Sequence, residues 1–203
     1  MSPDGKVQEA PAGLADSAES WPVLDSEDLY RGAAPFAVRS DRLHLPDQGP
    51  DEAFRRIVVE HPGAAVILAV DDERRVLVVV QYRHPARRRF VELPAGLLDK
   101  PGEDPENAAR RELLEETGFE AETWTHLGST WSSPGITGEL IHLYLAQGLG
   151  PADRGDFEPE HEEADMHLYW LPLDDLLAGV LAGTIADAPL VNAVLLAQAR
   201  GLL

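Results

Sequence analysis

GLLDKPGEDPENAARRELLEETGF, residues Gly96 to Phe119, is the stretch whose reading decides the fold. Its punctuation predicts one helix. Asp104 is a good N-cap, Pro105 suits the first helical position, and Gly118 supplies a left-handed C-terminal stop. A helix advances about 100° per residue, so Glu112, Glu115 and Glu116 share a face. Arg111 lies four residues before Glu115 and can pair with it. Three crowded carboxylates repel one another and weaken an isolated helix; around a hard divalent cation they make sense. Mg²⁺ prefers oxygen ligands and is commonly held by one or two carboxylates plus substrate phosphates. The segment therefore points to metal-assisted chemistry on a phosphorylated small molecule, against the plainer reading of a solvated acidic face.

Outward from this helix, Ala64–Val70 is a continuous apolar run and predicts a buried strand. Asp71–Arg75 is a polar turn, and Val76–Tyr82 returns as the second arm of a hairpin. Arg83–Arg89 reads as a basic loop and Phe90–Leu93 as a short strand entering Pro94-Ala95-Gly96. Further strands are expected at Thr123–Ser129, Leu140–Ala146 and Met166–Leu171. An acidic loop is expected over Gly148–Glu163, and amphipathic helices over Asp174–Ala182 and Ala188–Leu203. Upstream, Phe36–Leu45 and Phe54–Glu60 alternate like strands around the turn Pro46–Pro50. Residues 1–20 are small, polar and acidic and read as a disordered tail. Residues 21–60 read as a small antiparallel sheet extension, and 61–203 as the main domain. Strands and helices are mixed rather than alternating βαβ, which makes the class α+β.

The chain has 203 residues, 17 basic against 36 acidic, and a net charge of −19 at pH 7. This length suits one domain with a smaller appendage. Such a surface repels nucleic acid and anionic membrane, and an anionic substrate needs local arginines or bound metal. Cysteine is absent, which excludes thiolate nucleophiles, disulfides and cysteine zinc sites. No apolar run approaches the ~20 residues that span a bilayer. The first residues lack the basic start and apolar core of a signal peptide. A cytoplasmic protein is expected.

The helix and the loop before it resemble the Nudix box. Arg111-Glu112-Leu113-Leu114-Glu115-Glu116-Thr117-Gly118-Phe119 matches its core fully, and Glu103 stands at the right distance before Arg111. Six residues rather than five separate Gly96 from Glu103. The extra one falls in the loop Asp99–Gly102, which can absorb it at little cost. The flanks Gln81-Tyr82-Arg83 and Glu92-Leu93-Pro94-Ala95-Gly96, with Ser133-Pro134-Gly135 and then Glu139 downstream, resemble the ADP-ribose pyrophosphatase branch.

The resemblance implies a Nudix α/β/α sandwich with an N-terminal antiparallel sheet extension. It implies Mg²⁺-dependent hydrolysis of the diphosphate of ADP-ribose to AMP and ribose 5-phosphate, with Mn²⁺ as a possible substitute. Implied metal ligands are Glu112, Glu115, Glu116, Glu163 and the carbonyl of Ala95. Implied catalytic residues are Glu162 as base on the late acidic loop, Glu163, Glu115 and Arg111. Implied substrate contacts are Arg83, Glu92, Leu97, Ser133, Pro134, Gly135 and Glu139. A homodimer with exchanged N-terminal segments is also implied, in which Arg55 and Arg56 reach the partner's adenosine site. Arg87, Arg88 and Arg89 read as a solvated run. His142 and His161 are not read as ligands, since Mg²⁺ prefers oxygen donors. Alternatives are another nucleoside diphosphate substrate (an ADP-sugar, another sugar nucleotide or NADH), a non-catalytic ligand-sensing Nudix domain, or an acidic scaffold.

Overall fold

The computed structural model describes residues 9–154 and 165–203. Its strands are β1 (Val23–Arg31), β2 (Ala37–Leu43), β3 (Phe54–Glu60), β4 (Ala64–Val70), β5 (Arg75–Arg83), β6 (Arg88–Glu92), β7 (Ala95–Leu97), β8 (Phe119–Trp131), β9 (Leu140–Pro151) and β10 (His167–Pro172). Its helices are α1 (Pro105–Thr117), α2 (Leu173–Leu181) and α3 (Ala188–Ala199), with a 3₁₀ turn at Pro50–Glu52.

The chain divides into two compact units. One holds the described residues up to Glu27 with Ser40–Arg56; the other holds Asp28–Arg39 and the described residues from Ile57 onward. Strands β1, β2 and β3 form a three-stranded sheet in that order. Within the first unit, Arg55 Nη2 donates to Asp25 Oδ1 at 2.9 Å and Nη1 donates to the Ser40 carbonyl at 3.2 Å. Ser26 Oγ donates to Asp41 Oδ1 at 2.8 Å, and Trp21 meets Phe54 edge to face at 6.5 Å.

The second unit is built on a mixed sheet of order β10-β5-β4-β9-β8, with β6 beside β5 and β7 beside β4. β4 and β9 are parallel, Ala64 opposite Ile141; the remaining pairs are antiparallel. β4 is buried at all seven positions because both its faces are covered. Ala65, Ile67 and Ala69 pack with Ala108, Ala109 and Leu113 of α1. Val66, Leu68 and Val70 pack with Leu173 and Leu176 of α2 and with Leu190, Ala193, Val194 and Ala197 of α3. Each large side chain so buried contributes about 1.5–3 kcal/mol of hydrophobic transfer free energy. The result is helix, sheet, helix, in the α+β class.

Several boundaries differ from the sequence reading, each for a local reason. β1 carries an acidic, non-alternating sequence and is exposed at all nine positions, so no periodicity announces it. β7 has three residues, too few for a pattern. The basic segment is not a loop throughout: β5 runs to Arg83, the turn closes with Arg87 N–H to the His84 carbonyl at 3.1 Å, and β6 begins at Arg88. β8 starts directly after Gly118, whose φ of 72° reverses the chain. β9 continues through Gly148 and Gly150 to Pro151, because Phe119–Ala121 pair with Leu149–Pro151. The glycines that suggested a loop there are strand residues. α3 ends at Ala199 rather than Leu203. Among the described residues no helix is long and apolar enough to cross a membrane.

Candidate active site

The helix α1 forms where its caps direct it. Asp104 accepts a hydrogen bond from the Glu106 N–H at 2.9 Å, and the Gly118 N–H returns to the Leu114 carbonyl at 2.9 Å. One face buries Ala108, Ala109 and Leu113, which leaves Arg111, Glu112, Glu115 and Glu116 on the flank beside β7.

Arg111 organises this flank. Its Nε and Nη2 clasp Glu103 at 3.0 and 2.8 Å, and its Nη1 reaches Glu115 at 3.0 Å and also Glu112. The hydrogen bond to Glu103 is the main reason the guanidinium stays protonated beyond the usual arginine range. Glu103 in turn is held below the ordinary glutamate range by Arg111. The extra residue before Glu103 does not disturb this clasp. It is taken up in a turn in which the Glu103 N–H meets the Lys100 carbonyl at 3.1 Å and Gly102 adopts φ 79°.

Glu112 and Glu116 both rest on β7. Glu116 is buried, and its Oε2 accepts the Ala95 N–H at 3.1 Å. Glu112 lies so close to Gly96 that a Cβ there would stand 2.0 Å from its Cδ; only glycine permits this approach. Burial pushes the Glu112 carboxyl above the usual range, partly opposed by Arg111. β7 is set against α1 by its pairing with β4, where Leu97, Gly96 and Ala95 face Ala64, Ala65 and Val66.

The side-chain donors here are carboxylate oxygens, which suits a hard divalent ion. The tight seat of Glu112 on Gly96 gives this donor set a fixed floor. Among the described residues no three Asp, Glu or His side chains already converge on one metal position. Arg111 stands among Glu103, Glu112 and Glu115 and supplies the positive charge there.

Beside this flank, Arg83 at the end of β5 is forked onto Glu92 of β6, Nε to Oε1 at 3.0 Å and Nη2 to Oε2 at 2.7 Å. Glu92 is buried and also accepts Gln81 Nε2 at 2.9 Å. Arg83 is thus aimed by a carboxylate while its own side chain stays half exposed, at 50%. The sequence reading missed Asp187. It caps α3 through the Leu190 N–H at 3.0 Å, and burial pushes its carboxyl up to about 6, with Glu92 adding to the rise while Leu190 and Arg83 oppose it. The signal was present as Asp before Ala-Pro and an apolar run.

The turn Ser133-Pro134-Gly135 is exposed and closed by the Ile136 and Thr137 N–H groups on the Ser133 carbonyl, each at 3.0 Å. Its end is tied to β3 by the Val59 N–H on the Ile136 carbonyl at 2.8 Å. Glu139 Oε1 lies 3.5 Å from His61 Nδ1, a neighbour the sequence did not suggest. Arg55 is held by Asp25 and Ser40, as above, and the Arg56 guanidinium sits over Phe54 at 4.4 Å. Glu162 and Glu163 lie outside the described residues. The structure therefore brings together Arg111, Glu112, Glu115, Glu116 and Ala95, and a second cluster of Arg83 and Glu92, while Leu97 pairs with Ala64 of β4.

Residues 59–193 match the NUDIX domain, and this chain belongs to the Nudix family. An ADP-ribose pyrophosphatase of Mycobacterium tuberculosis is 43% identical over 177 residues, 87% of this chain and 83% of that protein. A methanol dehydrogenase activator of Bacillus methanolicus is 38% identical over 172 residues, 85% and 89% respectively. A crystal structure of an ADP compounds hydrolase superposes with a TM-score of 0.70 at 24% identity, covering 93% of this chain and all of that one. This last match bears on the fold.

Proposed function

We propose that the chain hydrolyses the diphosphate of ADP-ribose to AMP and ribose 5-phosphate with Mg²⁺. The observation that carries the reading is the seating of Glu112 and Glu116 on Ala95-Gly96, beneath the Arg111 clasp. The similarity to the Mycobacterium ADP-ribose pyrophosphatase supports the substrate. Mg²⁺ bound at Glu112, Glu115, Glu116 and the Ala95 carbonyl would neutralise diphosphate charge and acidify water. Arg111 positions the carboxylates. Arg83, aimed by Glu92, offers its exposed edge to a phosphate. Ser133, Pro134, Gly135 and Glu139 receive the terminal ribose side, and Leu97 borders the diphosphate. Glu162 is the proposed general base and Glu163 a further ligand.

The protein acts as a homodimer exchanging N-terminal segments. β1 supports this: it is exposed along its whole length and carries Val23, Leu24, Leu29 and Tyr30 at 40–54% exposure. Arg55 and Arg56 would then serve the partner's site. Product analysis with Mg²⁺ across ADP-ribose, an ADP-sugar, GDP-mannose, NADH and a dinucleoside polyphosphate tests the reading. Release of AMP and ribose 5-phosphate at the highest kcat/KM is expected. Faster turnover of NADH or of a sugar nucleotide would replace the substrate, and no turnover of any would overturn the enzyme reading.

A further inference from the structure

His126 and Ser129 of β8 and His142 of β9 make a cluster that the Nudix site does not use. Ser129 Oγ lies 3.2 Å from His126 Nε2 and 3.0 Å from His142 Nδ1. The two imidazole rings are 6.2 Å apart, and the His126 ring is 5.2 Å from that of Tyr144, a residue of the α1 side of the core.

A regular strand would keep these groups apart. Positions 126 and 129 differ by an odd number and would face opposite sides of the sheet. The ladder shifts register between His126, opposite Tyr144, and Gly128, opposite Leu143, so that Ser129 falls opposite His142. Gly128 takes φ 140°, and the extra residue, Leu127, is buried in the core on the α2–α3 side. The bulge thereby turns His126 and Ser129 onto the face of His142. Bulges re-aim side chains and concentrate beside functional sites.

Two of the three groups offer imidazole nitrogen, unlike the donors of the box. Donors about 2.0–2.1 Å from a tetrahedral zinc lie about 3.3 Å from one another, and both N···O separations here fall within a few tenths of that edge. Asp104 adds a negative field at His142. Imidazole suits Zn²⁺, Ni²⁺ and Cu²⁺, and hard Mg²⁺ does not compete for it.

We propose that His126 and His142, with Ser129 between them, form a second metal site, for a divalent transition ion such as Zn²⁺ or Ni²⁺, with water completing its shell. The site is separate from the box and does not depend on its activity. The full chain is titrated with Ni²⁺ in a calorimeter under excess Mg²⁺. One binding event is expected. It should weaken by more than about tenfold in His126→Asn and in His142→Asn, since even the loss of an outer-shell partner has that effect. It should be unmoved in Glu116→Gln. Ni²⁺ should also raise Tm in the parent chain and not in the two histidine variants. In the unsubstituted chain, paramagnetic broadening should strike the imidazole signals of His126 and His142 first. No binding event, displacement by Mg²⁺, unchanged affinity in both variants, or broadening that begins at another histidine overturns the proposal.

Discussion

Gly96 shows how tightly single residues are specified here. Its absent side chain is what lets Glu112 lie on β7, since an added Cβ would stand only 2.0 Å from the Glu112 Cδ. Gly96→Ala should therefore lower kcat by more than about a hundredfold, while overpacking costs about 1–3 kcal/mol of stability; steady-state kinetics beside thermal melts separate the two effects. Glu116→Gln should abolish Mg²⁺-dependent turnover with the fold retained, and wild-type rates in that variant would contradict its role. Asp187 gives a pH prediction. Its folded carboxyl stands at about 6 against an ordinary 3.8, so the folded chain binds a proton that the unfolded chain releases. Stability should fall as pH rises from about 4 to about 6, and the cost persists above that. Asp187→Asn keeps an N-cap and removes the cost. Urea melts at pH 7 should show a gain of about 1–3 kcal/mol, nearly gone at pH 4. The carboxylates of α1 were legible in the sequence because helical period fixes which of them meet. The grip of Glu92 on Arg83 was not, because it depends on a turn between β5 and β6 that a run of arginines disguises.

At the scale of elements, α1 could be read to its ends because both caps are encoded locally. Asp104→Ala should cost about 1 kcal/mol by chemical denaturation. The loop before it has slack: the extra residue is absorbed while Glu103 still reaches Arg111 at 2.8 Å. Inserting one more glycine between Pro101 and Gly102 should cost under about 1 kcal/mol and leave kcat near its parent value. The sheet was less legible. β4 announced itself as an apolar run, whereas β8 and β9 extend into polar and glycine-rich sequence. Their shared outer end is fixed by backbone pairing of Phe119–Ala121 with Leu149–Pro151, alongside the packing of Phe119, Ala121 and Leu149 on the core, and pairing partners leave no trace in a local pattern. The bulge at Leu127–Gly128 was invisible for the same reason.

Across the whole molecule, the charge of −19 leaves the clustered arginines as the local attraction for an anionic substrate. The exposed length of β1 leads to a test of assembly. Leu29→Glu combined with Tyr30→Glu should turn a sedimenting dimer into a monomer and lower kcat/KM, if Arg55 and Arg56 act across the interface. The wiring of the central sheet has a further effect. Ala64 must find Ile141 in parallel register, and Val80 must find His167. A nascent chain on the ribosome has therefore already exposed the apolar runs of β4 and β5 long before their neighbours are synthesised. Closure waits on distant segments, which slows folding and makes the half-made protein a natural client for chaperones.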